Sequence, residues 1–320
     1  MLGGRTVLIY LDLLESAPAA EAYRAALRES ASGIDLRLRG PEGPRADDLR
    51  DAEVIIAGSP VDALLALAPR LRWVAFWNAG IDHSLTPLLE QRMREGLQVT
   101  NASGMHGAQM AEHAMAMVLA FTRGLPEFGR LQREGRWRRE PSIGGIVEEL
   151  AGQTMGIVGL GHIGHALAAR AEAFELVVRG VRSSDGPEVL DAVLAESDHV
   201  VLLVPLTDAT RGLIDARRLE LMKPTARLYN LARGPVVDEP ALIAALQRGT
   251  IAGAGLDVFV EEPLPAESPF WSMPNVIVTP HAGGATPRYF RRAAQMFVEN
   301  LARLRRGEEL RQRHDVDRGY

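Results

Sequence analysis

Cysteine is absent from the 320 residues. No disulfide can staple this chain and no thiolate can hold a metal, which fits a reducing compartment. Long apolar runs are missing too. Nothing approaches the roughly 20 residues that a membrane-spanning helix needs. The first apolar run, residues 6–11, is short and strand-like, so it does not read as a secretion signal. A basic surplus is also lacking: the formal net charge is −5. The one basic cluster, residues 133–139, is interrupted by Glu134 and Gly135 and followed by Glu140, so it reads as a solvated arm and no nucleic-acid partner is expected. There is no short-period repeat and no low-complexity segment. A soluble cytoplasmic protein with no membrane partner is the expectation.

What is present is ordinary for a globular chain: 47% hydrophobic and 24% charged residues. The length exceeds one typical domain and suits two. Strand-like and helix-like runs alternate from the start. Strands are expected at 6–11, 34–39, 53–57, 73–77 and 98–100, with helices at 19–29, 61–67 and 87–94 between them. A long helix rich in Met and Ala begins near Ala108; its apolar stripe reads as core or subunit interface. Residues 124–150 read as irregular. A second series follows, with strands at 154–159, 176–180, 199–204, 227–231, 255–258 and 276–279. Helices are expected at 161–174, 239–248 and 287–306. Strands alternating with helices imply parallel sheets covered on both faces, here two doubly wound α/β domains.

The sharpest local motif is Gly159-Leu160-Gly161-His162-Ile163-Gly164, which follows a strand and opens a helix. The first glycine makes a tight turn and the second lets a pyrophosphate approach the backbone. The third permits close helix–strand packing, and the helix N-terminus favours the phosphate charge. A dinucleotide cofactor is expected. NAD enzymes place an acid at the end of the second strand, about 20 residues on, for the ribose 2′-hydroxyl. Here that position is Arg182, followed by Ser183 and Ser184. An arginine there suits a 2′-phosphate, so NADP is expected, with NAD possible if Asp185 bends back to the ribose.

Three polar segments then interrupt apolar strands: Arg233 after one strand end, Asp257 to Glu262 after the next, and His281 after the third. One cation, one carboxylate and one imidazole at carboxyl ends of parallel strands form a plausible active site.

At this point the chain resembles the D-isomer-specific 2-hydroxyacid dehydrogenase family. The segments that carry the resemblance are GLGHIG at Gly159, VPLTDATRGLID at Val204, NLARGPVVDEPALIAAL at Asn230, GLDVFVEEPLP at Gly255 and NVIVTPHAGG at Asn275. TNASG at Thr100, AEHA at Ala111 and WNAGIDH at Trp77 match as well. The resemblance spans nearly the whole chain and implies a Rossmann-type cofactor domain inserted in a flavodoxin-like substrate domain. The substrate domain would take residues 1–100 and 287–320 and the cofactor domain 101–286, with a cleft at the hinge. Arg233 matches the arginine that binds the substrate carboxylate and polarises its carbonyl. His281 matches the proton donor, and Glu262 the carboxylate that orients its imidazole. The backbone at Ala79, Gly80 and Ile81 would meet the substrate carboxylate. Pro205, Leu231, Ala232 and Gly283 would line the cofactor cleft, and Asp257 would face the nicotinamide carboxamide. The helix at Ala108 and the arm up to Leu150 would form a homodimer contact.

The resemblance is strongest to glyoxylate/hydroxypyruvate reductases, so the expected substrate is a small 2-keto acid, reduced to the D-2-hydroxy acid. A family dehydrogenase using NAD on another substrate range is the alternative. A dinucleotide-sensing corepressor-like protein is a third reading, disfavoured by the complete Arg–Glu–His set. One departure is Met110, where the family usually carries a smaller valine or threonine. His113 is expected to be structural, and His106 stands as a possible substrate neighbour.

Overall fold

A computed structural model describes residues 6–14, 17–30, 33–137 and 146–316. In chain order its elements are β1 (Val7–Leu14), α1 (Pro18–Ser30), β2 (Ile34–Arg39), α2 (Ala46–Leu49), β3 (Val54–Ala57), α3 (Asp62–Leu65), β4 (Trp73–Phe76), α4 (Pro87–Arg94) and β5 (Gln98–Thr100). Then come α5 (Gly107–Thr122), α6 (Leu125–Arg133), β6 (Thr154–Val158), α7 (His162–Ala173), β7 (Val177–Val181), α8 (Pro187–Glu196) and β8 (His199–Leu202). The rest are α9 (Ala216–Leu221), β9 (Arg227–Asn230), α10 (Glu239–Arg248), β10 (Gly253–Leu256), β11 (Val276–Val278) and α11 (Tyr289–Arg306). The chain divides into two compact units, one of Met1–Met105 with Thr286–Tyr320, the other of His106–Ala285.

The first unit is a parallel sheet in the order β2-β1-β3-β4-β5. Its central strands β1, β3 and β4 are apolar on both faces because both faces are covered, while the edge strand β2 alternates apolar residues with Asp35, Arg37 and Arg39. In β1, Val7, Ile9 and Leu11 enter the cluster shared with α1 and α11, while Leu8 and Tyr10 enter the cluster shared with Leu49, Leu64 and Leu89. Phe297 of α11 stacks on Trp73 of β4 with ring centroids 4.8 Å apart, and Tyr23 of α1 meets the Phe297 ring edge-on. The last helix is therefore part of the core begun by the first strand.

The second unit is a six-stranded parallel sheet, β11-β10-β9-β8-β6-β7. Helices α5 and α7 cover one face and α8, α9 and α10 the other. The strand order reverses beside β6, which makes the carboxyl ends around β6 and β8 the switch point of the sheet, where ligands of such folds bind.

Two expectations need correction. Residues 124–150 are not irregular throughout, since α6 runs over Leu125–Arg133; Pro126 at the start of that helix and its Glu127–Arg130 pair support it. Residues 138–145 of that stretch, and Arg138 and Arg139 of the basic run, lie outside the described residues. Helices α2, α8 and α9 were not expected at all. The Met-rich stripe of α5 is spent on the chain's own core: Met110, Met115 and Met117 are all buried against β6 and α7 neighbours. Among the described residues no helix is long and apolar enough to cross a membrane.

Under this sheet lies His199, at the start of β8. Its Nε2 meets Gln153 Oε1 at 2.8 Å and its Nδ1 meets Tyr229 OH at 3.1 Å. The amide oxygen can only accept, so the proton sits on Nε2 and the tyrosine donates to Nδ1. Burial, with Arg227 adding, pushes this imidazole down to about 4. The unfolded chain binds a proton here near pH 6.5 and the folded one does not, so stability falls as pH drops from about 6.5 to about 4 and levels off below. A His199→Asn variant should lose less stability than the wild type over that window in denaturant titrations. Parallel pH profiles for the two proteins would show that His199 carries none of the acid sensitivity.

Candidate active site

Every candidate residue of the second unit follows the carboxyl end of a parallel strand. The turn after β6 is the glycine motif. Gly159 has φ +108°, and a Cβ there would stand 2.8 Å from the Leu203 carbonyl carbon. A Cβ on Gly164 would stand 2.3 Å from the Gly159 oxygen. These two glycines are demanded by the chain's own packing. Gly161 is different: a Cβ there would meet nothing within 4 Å. What it keeps clear is space in front of the N-terminus of α7. That end has no capping side chain and no acid in its first turn, so the amides at His162, Ile163 and Gly164 are free to face a phosphate. The residues present thus fit a dinucleotide pyrophosphate. Leu160 packs over Gly180, where a Cβ would stand 2.0 Å from its Cδ1.

At the end of β7, Arg182, Ser183, Ser184 and Asp185 are exposed and close a turn. The Asp185 carboxylate accepts from the Arg182 backbone N–H at 2.7 Å. The carboxylate is tied to the turn itself, and the Arg182 guanidinium meets no partner among the described residues. After β8, Pro205 is exposed and its carbonyl accepts from Thr210 Oγ1 at 2.6 Å.

The turn after β9 is built by Asn230, a buried residue the sequence reading missed. Its Oδ1 accepts from Ala232 N at 3.1 Å and its Nδ2 donates to Arg233 O at 3.0 Å. Leu231 and Ala232 are buried by this turn, while Arg233 stays partly open and donates to the Ala232 carbonyl at 2.9 Å. Gly234 comes next. A Cβ there would stand 1.9 Å from Phe259 C, so only glycine lets this turn lie against the Phe259–Val260 peptide. That peptide belongs to the loop carrying Glu262. The Arg233 turn and the Glu262 loop are therefore in backbone contact.

Glu262 is held by Phe259 N–H, which donates to Oε1 at 3.0 Å, and its Oε2 faces His281 Nδ1 at 2.7 Å. Half of the His281 side chain is exposed, 50% against 35% for Glu262. Glu239, at the start of α10, takes the Val260 N–H at 2.6 Å. Burial raises its carboxyl above the usual range and the Glu262 charge adds to that, with the Val260 hydrogen bond opposing.

Asp257, assigned by resemblance to the nicotinamide carboxamide, has a further task here. It is 1% exposed. Its carboxylate accepts from Thr279 Oγ1 at 2.5 Å, Ala282 N at 2.8 Å and Gly283 N at 2.9 Å, while its carbonyl accepts from His281 N at 2.8 Å. His281 sits in this grip with φ +52°, a left-handed conformation that costs a side-chain-bearing residue about 1–2 kcal/mol.

In the first unit, the loop after β4 is also well fixed. Trp77 O accepts from Tyr289 OH, Asn78 O from Ala102 N, and the Asn78 amide donates to Gly58 O at 2.8 Å. Trp77 lies where a Gly58 side chain would be. Among the described residues no acceptor meets the backbone N–H groups of Ala79, Gly80 and Ile81. Three successive unsatisfied amides can hold a carboxylate. No group of His, Cys, Asp and Glu among the described residues could hold a metal ion.

Residues 115–283 match the family described as D-isomer specific 2-hydroxyacid dehydrogenase, NAD binding domain. The chain belongs to this family. It is 42% identical over 277 residues to the glyoxylate reductase of Pyrococcus furiosus, covering 81% of this chain and 80% of that protein. The glyoxylate reductase of Korarchaeum cryptofilum is 40% identical over 271 residues, again covering 81% and 80%. A D-isomer specific 2-hydroxyacid dehydrogenase of Xanthobacter autotrophicus, solved with NADPH and MES, superposes with a TM-score of 0.83 at 34% identity, over 99% of this chain and 100% of that one. The NADPH-dependent glyoxylate/hydroxypyruvate reductase of Sinorhizobium meliloti, solved with NADP and sulfate, also gives 0.83, at 29% identity over 98% and 100%. This chain is an NAD(P)-dependent oxidoreductase with the family's two parallel-sheet α/β domains.

The Gly234 contact makes a direct prediction. Gly234→Ala should destabilise the second unit by about 1–3 kcal/mol, because the obstacle is backbone that cannot rotate away. Turnover should fall further than stability does, since the displaced peptide carries Glu262. Thermal melts beside steady-state rates will show it; an alanine variant with wild-type values of both would refute the close contact.

Proposed function

We propose that this dehydrogenase reduces small 2-keto acids of the glyoxylate and hydroxypyruvate type, with NADPH preferred. The observation that carries the reading is the pairing of His281 Nδ1 with Glu262 Oε2 at 2.7 Å. With Nδ1 committed to the carboxylate, Nε2 is the nitrogen left to give a proton to a substrate carbonyl oxygen. Arg233 supplies a planar, permanently charged fork suited to a carboxylate and to the oxygen on which negative charge develops. Bound nicotinamide supplies the hydride in such reactions. The relatives named glyoxylate reductase support the substrate class.

In this reading the unit His106–Ala285 holds the dinucleotide and the unit of Met1–Met105 with Thr286–Tyr320 contributes substrate contacts. The amides of Ala79, Gly80 and Ile81 serve the substrate carboxylate. Pro205, Leu231, Ala232, Asp257 and Gly283 stand as cofactor neighbours. Exposed Leu125 and Trp137, the latter 85% exposed, are the apolar groups through which a homodimer is proposed.

Removing the proton donor tests the chemistry. His281→Ala should lower kcat for glyoxylate by about 10²–10⁴-fold with dinucleotide binding kept. The disappearance of the reduced-coenzyme absorbance measures the rate and fluorescence titration the binding; unchanged turnover would end the assignment.

The coenzyme preference rests on the unpartnered Arg182 guanidinium. Arg182→Asp should lower kcat/KM with NADPH by about ten- to a hundredfold, the value of one charge-assisted contact, and spare NADH. An equal loss with both coenzymes would show that Arg182 does not read the 2′-phosphate.

A further inference from the structure

The loop that carries His281 is gripped from below by one face of α5. His106, which precedes the helix, and Gln109, Met110 and His113 within it share that face, at the spacing of successive turns. The loop can come this close because it contains two glycines. A Cβ on Gly283 would stand 3.0 Å from Met110 Sδ and 3.4 Å from His113 Cδ2, and one on Gly284 would stand 3.3 Å from His106 Nδ1. Gln109 Nε2 also reaches Gly284 O at 3.5 Å.

The deepest of these contacts has a determinate direction. His113 Nε2 lies 3.0 Å from Thr279 Oγ1 and 3.5 Å from Asp257 Oδ1. Thr279 has a single hydroxyl proton, and it goes to Asp257 Oδ1 at 2.5 Å, because an ionised carboxylate can only accept. Toward His113, then, the hydroxyl is an acceptor, and Nε2 must carry a proton. The chain of donors runs from His113 Nε2–H to Thr279 Oγ–H to Asp257. The Asp257 carboxylate in turn takes the amides of Ala282 and Gly283, and its carbonyl takes the amide of His281.

We propose that His113 is a positioning residue for the reaction: its Nε2–H orients Thr279, and through Thr279 and Asp257 it fixes the loop that presents His281. This rests on reading His281 as the proton donor. His281 occupies a left-handed backbone conformation that its own side chain does not favour. Something outside the loop must hold it there, and the α5 face is the element packed against it. A proton donor misplaced by a fraction of an ångström loses rate without losing its substrate.

The test compares His113→Leu with His113→Gln, whose side-chain amide retains an N–H donor. The leucine variant should lose about ten- to a hundredfold in kcat for glyoxylate, with KM and the NADPH dissociation constant little changed. The glutamine variant should recover most of that rate. Thr279→Val should match the leucine variant, and the double variant His113→Leu/Thr279→Val should be no slower than either alone, since both cut the same chain. A folded leucine variant with wild-type kcat, equal rates for leucine and glutamine, or an additive double variant would each overturn the proposal. If the leucine variant does not fold, His113→Gln and Thr279→Val decide: near-normal rate in the first with a large loss in the second supports the chain, and equal rates refute it. His281→Ala runs alongside. Full turnover there removes the proton donor itself, whereas an inactive His281→Ala beside unaffected His113 variants removes only the positioning role.

Discussion

A buried carboxylate cannot stand alone. Asp257 is almost wholly removed from water, and its charge has to be met by hydrogen bonds from its surroundings. It collects them from one short segment: a hydroxyl from Thr279 and two successive amides from Ala282 and Gly283. That demand shapes the segment. With both ends of the loop drawn onto one carboxylate, His281 is left at its crest in a conformation it would not adopt unaided. The imidazole is then within reach of Glu262, itself anchored by the Phe259 amide. The conformation of this loop descends from the electrostatic need of a residue beneath it.

The second constraint is steric. At Gly159 and Gly234 the turn after one strand lies so close to the segment after another that a methyl group would collide with main-chain atoms. Such contacts tie the turn after β6 to the segment after β8, and the turn after β9 to the segment after β10. Gly161 shows the contrary case, a glycine whose missing side chain faces open space. Within a single motif two glycines are therefore demanded by packing, while the third leaves open the space before the N-terminus of α7.

Much of this was legible in the chain. Strands β2 and β5 and helices α4 and α10 fall where periodicity places them, because alternating or 3.6-spaced apolar residues are bounded by Pro and Gly signals. The pattern GLGHIG and the polar breaks at Arg233, Glu262 and His281 were visible because they interrupt apolar strands. Helices α2 and α9 escaped because spans of four and six residues are too short to show a helical period. The supporting groups escaped for another reason. Asn230, Glu239 and Thr279 act through hydrogen bonds to residues that are distant in sequence or turned by local geometry, and His113 lies 166 positions from its partner. Nothing in composition or spacing marks a residue whose only distinction is what the fold brings beside it.

Phe297 on Trp73 has a consequence for how the protein is made. The first unit draws its sheet from the beginning of the chain and one of its covering helices from the end. The second unit is continuous. During synthesis from the N-terminus, the five strands of the first unit emerge early but must wait, with one face covered by α1 alone, while the whole of the second unit is translated. Only when α11 leaves the ribosome can Phe297 close over Trp73. The domain that begins first is completed last, and the part of its sheet that α11 covers stays open in the interval.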